Sequence, residues 1–396
     1  MTDRTERQIR HIGIFNDSYP PILDGVTLTV ENYVRWLGAM GKNPCVVTPW
    51  NPLKVDCGYD VLRYFSLPIF SRRPYRYGYP RLDPFIWRKL NRTPFRLVHS
   101  HCPFSSGRLA VYVKKRHRVP LIGTFHSKYR TDLLHSFPRA PWFVDIIMNR
   151  IIDFFNSCDE VWIPQASVEP TVREYGYKGP LTVVDNGIDF ADIPDSDIAR
   201  VKKQARTKLG IADSTLTLLF VGQHIWEKGI GIIADILPRL MPDIDFRIDF
   251  IGTGYAAQDL RKIVKRLGVS DRTQFHGTVA DREALKTFYA AADLFLFPSL
   301  YDNAPLVVRE AAAMGTPAII PEGSTASEII RNPQNGFLTG PTSEEYATLI
   351  RSLAANRQII RAAGHRAKQT IVRSWEDVVA EVADRYESLL RRTHNL

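Results

Sequence analysis

The sequence predicts an α/β protein of two doubly wound halves, each a parallel sheet wrapped by helices, facing each other across a cleft. Three observations carry that expectation. The chain has 396 residues, more than the roughly 250 to 300 that a single hydrophobic core serves. Short apolar runs alternate with segments of helical spacing in both halves, as β-α-β units require. The apolar runs end in loops that carry glycine, histidine or aspartate, and open parallel sheets bind ligands at those ends.

The first half opens with a buried strand over Gln8 to Asn16 (Ile9, Ile12, Ile14, Phe15), feeding a loop that holds Pro20, Pro21, Asp24 and Gly25. Val26, Val30, Val34 and Leu37 then recur at helical spacing, and Met40-Gly41 stops that helix before a strand at Asn43 to Thr48. The strand RLVHSH (Arg96 to His101), a helix from Ser106 to Arg116 and the strand PLIGTFH (Pro120 to His126) continue the series. EVWI (Glu160 to Ile163) and LTVV (Leu181 to Val184) are further short strands, the second leading into Asp185-Asn186-Gly187. A charged stretch from Asp189 to Asp213 reads as the domain connection with a solvated helix.

A second series begins at LTLLFVG (Leu216 to Gly222), another first strand feeding a loop. FRIDFIGTG (Phe246 to Gly254) is a strand with a glycine turn, Thr273 to Gly277 a short strand, Asp281 to Ala292 a helix and Asp293 to Pro298 a strand. Asn303 to Ala313 is the next helix, stopped by Gly315 and followed by the strand PAIIP at Pro317 to Pro321. The segment from Ser374 to Leu390 is an amphipathic helix with Trp375, Val378, Val379, Val382, Tyr386, Leu389 and Leu390 on one face.

Composition narrows the class. A hydrophobic fraction of 44% and a charged fraction of 24% set aside disordered and fibrous chains. No run approaches the roughly 18 apolar residues of a membrane-spanning helix, and MTDRTERQIR is too polar for a secretory signal, so the cytoplasm is the expected location. Cys45, Cys57, Cys102 and Cys158 lack any metal-binding spacing and are expected to be reduced and structural. The formal charge of +10 is uneven, because Arg63 to Arg130 carries 16 Lys or Arg against one acid, Asp83. Within that span, Ser71 to Arg92 mixes cations with Tyr75, Tyr77, Tyr79, Phe85 and Trp87. Such mixing suits the interface of an anionic membrane, with a plain solvated basic surface as the alternative.

The loop after Asp293 to Pro298 is the most informative. Asn303 fits an N-cap, and Pro305 fits the first helical turn, where its missing N–H would be unbonded anyway. The helix N-terminus would then hold a phosphate on the amides of Leu306 and Val307, with Asn303 and Ala304 in the loop beside it. Glu310 shares the face of Leu306 one turn deeper, a carboxylate able to accept from sugar hydroxyls. Asp302 is set to reach a sugar beyond the phosphates. On this local pattern alone, Glu310 is equally readable as a solvated helix residue and Asp302 as a turn former. Asp243-Ile244-Asp245 has the letters of a metal-binding Asp-x-Asp, but it precedes its strand and reads as a loop feature.

Asp302 to Glu310 resembles the E-x7-E motif of family-4 glycosyltransferases, with Asp302 in place of the first acid. The resemblance gives Asp302 the donor sugar and Glu310 the ribose of the nucleotide. Ile14 to Val26 is similar to the family's opening strand and glycine loop, which brings the Gly25 backbone to the donor phosphates. Val221 to Gly229 resembles the segment G-R-x-x-x-x-K-G, whose Arg and Lys clamp the diphosphate; Lys228 matches, and Gln223 stands where the arginine is usual. Asp185 to Asp189 resembles the P-N-G-I-D turn at the domain joint, with Asp185 in the proline's place. Gly123 to His126 is similar to a segment whose histidine faces the transferred sugar, while His99 and His101 are expected to be structural. The final helix with Trp375 matches the family habit of crossing back onto the first domain.

The resemblance implies the GT-B architecture, with an N-terminal Rossmann-like domain over residues 1–190 joined by 374–396 and a C-terminal donor domain over 191–373. It implies a retaining, metal-independent hexosyltransferase like bacterial alpha-mannosyltransferases and glycolipid glycosyltransferases. The nucleotide-sugar donor is a substrate, and no cofactor is expected. The acceptor is expected to be lipid-linked, given the basic aromatic stretch. His126, Lys228 and Asp302 are the implied catalytic residues. Gly25, Gln223, Lys228, Asp302, Asn303, Ala304, Leu306, Val307 and Glu310 bind the donor, with its selection left to Gly252 to Tyr255 and His276 to Asp281. A nucleotide-sugar epimerase or phosphorylase on the same scaffold is the enzymatic alternative. A basic nucleic-acid-binding protein is the non-enzymatic one, although no nucleic-acid module accompanies the charge.

Overall fold

A computed structural model describes residues 10–22, 24–53, 58–69, 74–190, 193–241 and 243–394. Ile9 of the expected first strand, Cys57 and Ser71 to Arg73 of the basic stretch lie outside them. The chain divides into two compact units, Met1–Gly187 with Trp375–Leu396, and Ile188–Ser374.

The first unit runs β1 (His11–Phe15), α1 (Gly25–Ala39), β2 (Pro44–Pro49), β3 (Asp60–Tyr64), β4 (Ser66–Pro68), β5 (Arg76–Gly78), α2 (Pro84–Arg92) and β6 (Phe95–Ser100). It continues with α3 (Ser105–His117), β7 (Leu121–Thr124), α4 (Tyr129–Ser136), α5 (Pro141–Asn156), β8 (Glu160–Ile163), α6 (Glu169–Glu174) and β9 (Leu181–Val183). Among the described residues seven strands form one parallel sheet in the order β3-β2-β1-β6-β7-β8-β9. β2 and β7 are buried at every position, which is why their sequences are unbroken apolar runs without alternation. The Asp24 carboxylate caps α1, accepting from the Thr27 N–H at 2.7 Å.

The basic stretch is more ordered than its composition suggests. It holds the end of β3, the antiparallel ribbon β4-β5 and α2, none of which the sequence reading assigned. Asp83 explains α2: its Oδ1 accepts from the N–H groups of Phe85 at 3.1 Å and Ile86 at 3.2 Å, and Pro84 follows it as first helical residue. The single acid of this region is therefore used as a cap.

The second unit runs α7 (Ile198–Lys208), β10 (Leu216–Val221), α8 (Ile230–Leu240), β11 (Phe246–Ile251), α9 (Ala257–Arg266), β12 (Thr273–Gly277), α10 (Arg282–Ala291) and β13 (Leu294–Leu296). α11 (Leu306–Ala313), β14 (Ala318–Pro321), β15 (Phe337–Thr339), α12 (Ser343–Ala355) and α13 (Arg357–Ile371) complete it. Its parallel sheet has the order β12-β11-β10-β13-β14-β15. The direction of winding reverses between β10 and β13, the switch point where such sheets open a crevice at their carboxyl ends. The loops after β10 and β11 crowd each other: a Cβ on Gly252, whose φ is 128°, would lie 1.9 Å from the Gly222 carbonyl oxygen.

The structure corrects two readings in this unit. α7 is not merely solvated: Arg206 is buried, and its guanidinium reaches Asp293 Oδ2 and the Thr217 hydroxyl, both at 3.2 Å, tying the helix to the sheet. Long side chains let a helix rich in cations pack through one buried, paired arginine. Asn303 is not an N-cap. α11 starts at Leu306 with Pro305 in the cap position, and no side chain caps it. Asp243 and Asp245 precede β11, and they pair with Arg351 and Arg272.

The last helix, α14 (Trp375–His394), belongs to the first unit, packed along α1 with Trp375, Val378, Val379, Val382 and Tyr386 buried. Gly187 makes room for it, since a Cβ there would fall 2.7 Å from the Trp375 backbone. Among the described residues no helix is long and apolar enough to cross a membrane. Cys45, Cys102 and Cys158 are free thiols.

Candidate active site

In the second unit the switch point joins two of the expected residues. Lys228, after β10, forms an ion pair with Asp302 Oδ1, after β13. The Ser299 hydroxyl donates to Asp302 Oδ2 at 2.7 Å, and the Lys228 ammonium lies 5.6 Å from the centre of the Tyr301 ring. Both partners are largely sheltered, at 15% and 17% side-chain exposure. Lys228 reaches the crevice because Gly229 (φ 72°) ends its turn against the Pro298 carbonyl, where a Cβ would come within 2.6 Å. Gln223 is exposed on the same loop.

α11 points its N-terminus into this crevice. Val308 N–H donates to the Pro305 carbonyl at 3.3 Å, so the amides of Leu306 and Val307 head the helix at its positive end. One turn deeper, Glu310 is 3% exposed. Its Oε1 accepts from Arg282 at 2.7 Å and its Oε2 from the Tyr289 hydroxyl at 2.7 Å. Arg282 also reaches Asp189 Oδ2 at 3.3 Å and covers the Phe190 ring at 4.5 Å. Glu310 is thus neither solvated nor idle: it is buried, paired with Arg282 and hydrogen-bonded to Tyr289, as burial of a polar group demands. Beside it, burial and the Glu310 charge push the Tyr289 phenol far above its ordinary range.

The first unit presents different chemistry at the same edge of its sheet. Asp17, after β1, takes its Oδ1 to the start of α3, accepting from the Ser106 N–H at 2.9 Å, from Tyr64 at 3.1 Å and from the Ser105 hydroxyl. After β6 and β7 come histidines: His101 Nδ1 and His126 Nε2 are 3.0 Å apart. Burial lowers the His126 pKa to about 4, and it holds His99 and His101 well below 6.5, helped by the neighbouring imidazoles. Gly25, the first residue of α1, also belongs to this unit and is exposed.

Two family models match this chain in tandem. The one described as Glycosyltransferase Family 4 covers residues 23–192, and the one described as Glycosyl transferases group 1 covers residues 201–370. The chain belongs to the family-4 glycosyltransferases. It is similar to the alpha-monoglucosyldiacylglycerol synthase of Streptococcus pneumoniae, 24% identical over 83% of this chain and 74% of that one. The synthase of the same name from Acholeplasma laidlawii is 24% identical over 96% of this chain and 99% of its own. Among solved structures, Anabaena HepE in complex with UDP and glucose aligns with a TM-score of 0.75 at 19% identity, over 96% of this chain and 100% of that one. That likeness is one of fold, the GT-B fold of two Rossmann-like parallel sheets.

In this glycosyltransferase the expected site residues fall into two sets. Lys228, Gln223, Asp302, Asn303, Ala304, Leu306, Val307 and Glu310 gather at the switch point of the second unit, whereas Gly25 and His126 lie in the first. The sequence reading missed Arg282, Tyr289 and the partnership of His101 with His126. Arg282 carries no local signal, because only the fold brings α10 beside α11. The histidine pair did have a signal: HSH and GTFH end consecutive strands, and consecutive strands of a parallel sheet usually lie side by side.

Proposed function

We propose that this glycosyltransferase moves a hexose, with retention at the anomeric carbon and without a metal ion, from a nucleotide sugar to a lipid acceptor at a membrane surface. The observation that carries this reading is the Lys228–Asp302 pair at the mouth of α11, with Glu310 one turn deeper. A diphosphate arriving there meets an ammonium and two helix amides, which stabilise the negative charge that grows as the sugar leaves. Glu310 accepts from the ribose hydroxyls, and Asp302 accepts from the sugar once the diphosphate engages Lys228. In the transfer the bond from the anomeric carbon to the phosphate oxygen breaks while that to the acceptor oxygen forms on the same face. The acceptor's proton passes to the departing phosphate. The protein supplies position and charge, and His126 of the first unit is the sugar-facing histidine of this reading.

The lipid acceptor is supported by the surface of the first unit. Phe65, Leu67, Tyr77, Tyr79, Leu82 and Phe85 are exposed, Leu82 at 67% and Phe85 at 72%. Arg81, Arg88, Lys89 and Arg92 are exposed among them, and each cation near an anionic surface contributes about 1 kcal/mol. The relatives named above are alpha-monoglucosyldiacylglycerol synthases by name, which makes diacylglycerol with a glucose donor such as UDP-glucose the first pair to try.

Purified protein incubated with a panel of nucleotide sugars and diacylglycerol vesicles should release nucleotide from one donor, with a glycolipid as product. Release without any vesicle dependence would remove the lipid acceptor. No release from any donor would remove the whole reading. In flotation at low salt the protein should rise with anionic vesicles and stay behind with neutral ones; equal recovery sinks the membrane claim.

A further inference from the structure

His99, His101 and His126 form one array. β6 and β7 are paired neighbours, so His101 and His126 emerge side by side at their carboxyl ends. Beyond the 3.0 Å contact of His101 Nδ1 with His126 Nε2, the two rings lie 20° from parallel with centres 5.2 Å apart. His99 stacks on His101 at 4.2 Å. Both nitrogens of His99 are engaged, Nδ1 at 2.6 Å from the Tyr386 hydroxyl and Nε2 at 2.7 Å from the Thr124 hydroxyl. Tyr33 of α1 packs edge-on against His101 at 5.1 Å. Tyr386 comes from α14, so the chain's last helix closes the array.

We propose that His101, stacked on a His99 that Tyr386 of α14 holds in place, positions His126 for sugar transfer. The proposal rests on the reading of His126 as the residue that faces the transferred sugar. An imidazole turns about a soft, roughly two-fold torsion, so a ring that must meet sugar hydroxyls needs an external hold on its rotation. The bond from His101 supplies that hold. It also sets a tautomer: between two neutral imidazoles one nitrogen donates and the other accepts, so the proton position on His101 dictates that on His126.

His101 is 1% exposed and acts through its neighbour. A purely structural ring at this place would have no use for nitrogen. His101 Nε2 is buried without a hydrogen-bond partner, a desolvation cost that an apolar side chain of similar size avoids. What offsets it is the bond at the other nitrogen. Burial keeps the three rings uncharged at neutral pH, so the array can transmit geometry without drawing the anionic end of the donor.

The test compares His101→Leu, which fills the space without the bond, with His101→Asn, whose amide nitrogen falls near the position of Nδ1. The donor is UDP-glucose, or whichever nucleotide sugar the panel returns as fastest, with diacylglycerol vesicles. His101→Leu should lower kcat about 10- to 100-fold, the scale of a misplaced reacting group, while donor KM and UDP affinity stay within about twofold. His101→Asn should recover most of the lost kcat, and Tyr386→Phe should show the same split more weakly. Unchanged kcat in a folded His101→Leu, or a His101→Asn that loses as much as Leu, overturns the proposal. If His101→Leu does not fold, an unchanged kcat in Tyr386→Phe overturns it. His126→Ala separates the two layers: full activity there removes the reading beneath, whereas lost activity there with an indifferent His101 removes only this inference.

Discussion

The two sheets of this glycosyltransferase share one winding order, with each reversing direction after its first two crossovers, yet their carboxyl ends carry opposite kinds of chemistry. At the second sheet every acid that matters faces a cation: Asp302 faces Lys228, and Glu310 faces Arg282. At the first sheet, after β6 and β7, stand neutral imidazoles in contact with one another. On the proposed function, the difference would divide the work of transfer between a charged edge and a neutral one. In the proposed reaction a diphosphate entering the crevice would take Lys228 from Asp302, leaving the carboxylate for the sugar. Neutral rings cannot compete for the diphosphate, and in the proposed reaction they would act on hydroxyls through geometry alone.

If that division is right, Lys228→Ala breaks it most severely. It removes the cation that meets the departing charge and leaves the Asp302 carboxylate sheltered and unpaired. Turnover should fall about 100- to 1,000-fold, as when one donor to a developing anion is removed. Initial rates at saturating donor measure it, and a loss below tenfold would mean that Lys228 does not serve the reacting phosphate.

Asp302→Asn and Glu310→Gln sharpen the comparison because they separate the two pairs. With Asn at 302 the ammonium is no longer shared, so nucleoside diphosphate should bind as tightly as before or more tightly. Turnover should drop about tenfold or more, because a group that positions only the sugar counts when the sugar reacts. Glu310→Gln removes the charged acceptor for the ribose and disturbs Arg282, and it should weaken nucleoside diphosphate binding about tenfold. Calorimetry with UDP distinguishes the two. Equal weakening by both changes would erase the assignment of Asp302 to the sugar and Glu310 to the nucleotide.

The pairs also explain what could be read from the residues beforehand. The strands of both sheets were legible because buried parallel strands are continuous apolar runs, as in LTLLFV of β10, with all six residues buried. Asp302 and Glu310 could be singled out by their places around a helix start after a strand, and Lys228 by the resemblance of its segment to the family's. Their partners could not: Arg282, on α10, meets Glu310 through the packing of two helices, and no sequence distance encodes that contact. The helix start at Asn303 went wrong for a local reason, since Pro305 supports the cap position as readily as the first turn, and the helix took the later start. The basic stretch hid α2 because Ile86 and Leu90 are its only buried side chains, too sparse an apolar face to stand out among the arginines.

Acid should loosen the first unit before the second. In an unfolded chain histidine titrates near ~6.5, whereas burial holds His126 at about 4 and His99 and His101 well below their ordinary value. The unfolded state therefore takes up protons first as pH falls. The stability that the neutral rings contribute is complete above about pH 6.5 and is lost progressively on the way down to about 4. Among the described residues the second unit has one histidine of this kind, His224, lowered by burial to about 4. Its anchor Asp293 stays ionised to lower pH: burial, the largest influence, opposes the charge, but Lys202, the Thr217 N–H and Arg206 together outweigh it. Amide exchange at pH 7.5 and 5.0 should show protection falling more in β6 and β7 than in β10 and β13. Equal losses in both sheets would contradict the contrast between neutral and charged edges.

The smallest expected effect tests how far the charged edge extends. Gln223 lies exposed on the loop that carries Lys228, at the place where the family's segment has an arginine. If that loop faces the diphosphate, Gln223→Arg adds a second cation to the clamp, and a charge-assisted bond replaces a neutral one. Because the position is exposed, solvent screens the gain, and a change of about three- to tenfold in UDP affinity is expected, on the scale of ~1 kcal/mol for an exposed charge pair. The gain should shrink as salt is raised from about 0.05 to 0.5 M, since screening acts on exposed charges first. Turnover should change less than affinity, because a cation that binds ground state and transition state alike lowers KM without lowering the barrier between them. A gain that ignores salt would point to a rearranged loop, and unchanged or weaker affinity would mean that residue 223 looks away from the phosphates, with Lys228 as the only cation of its loop that serves them.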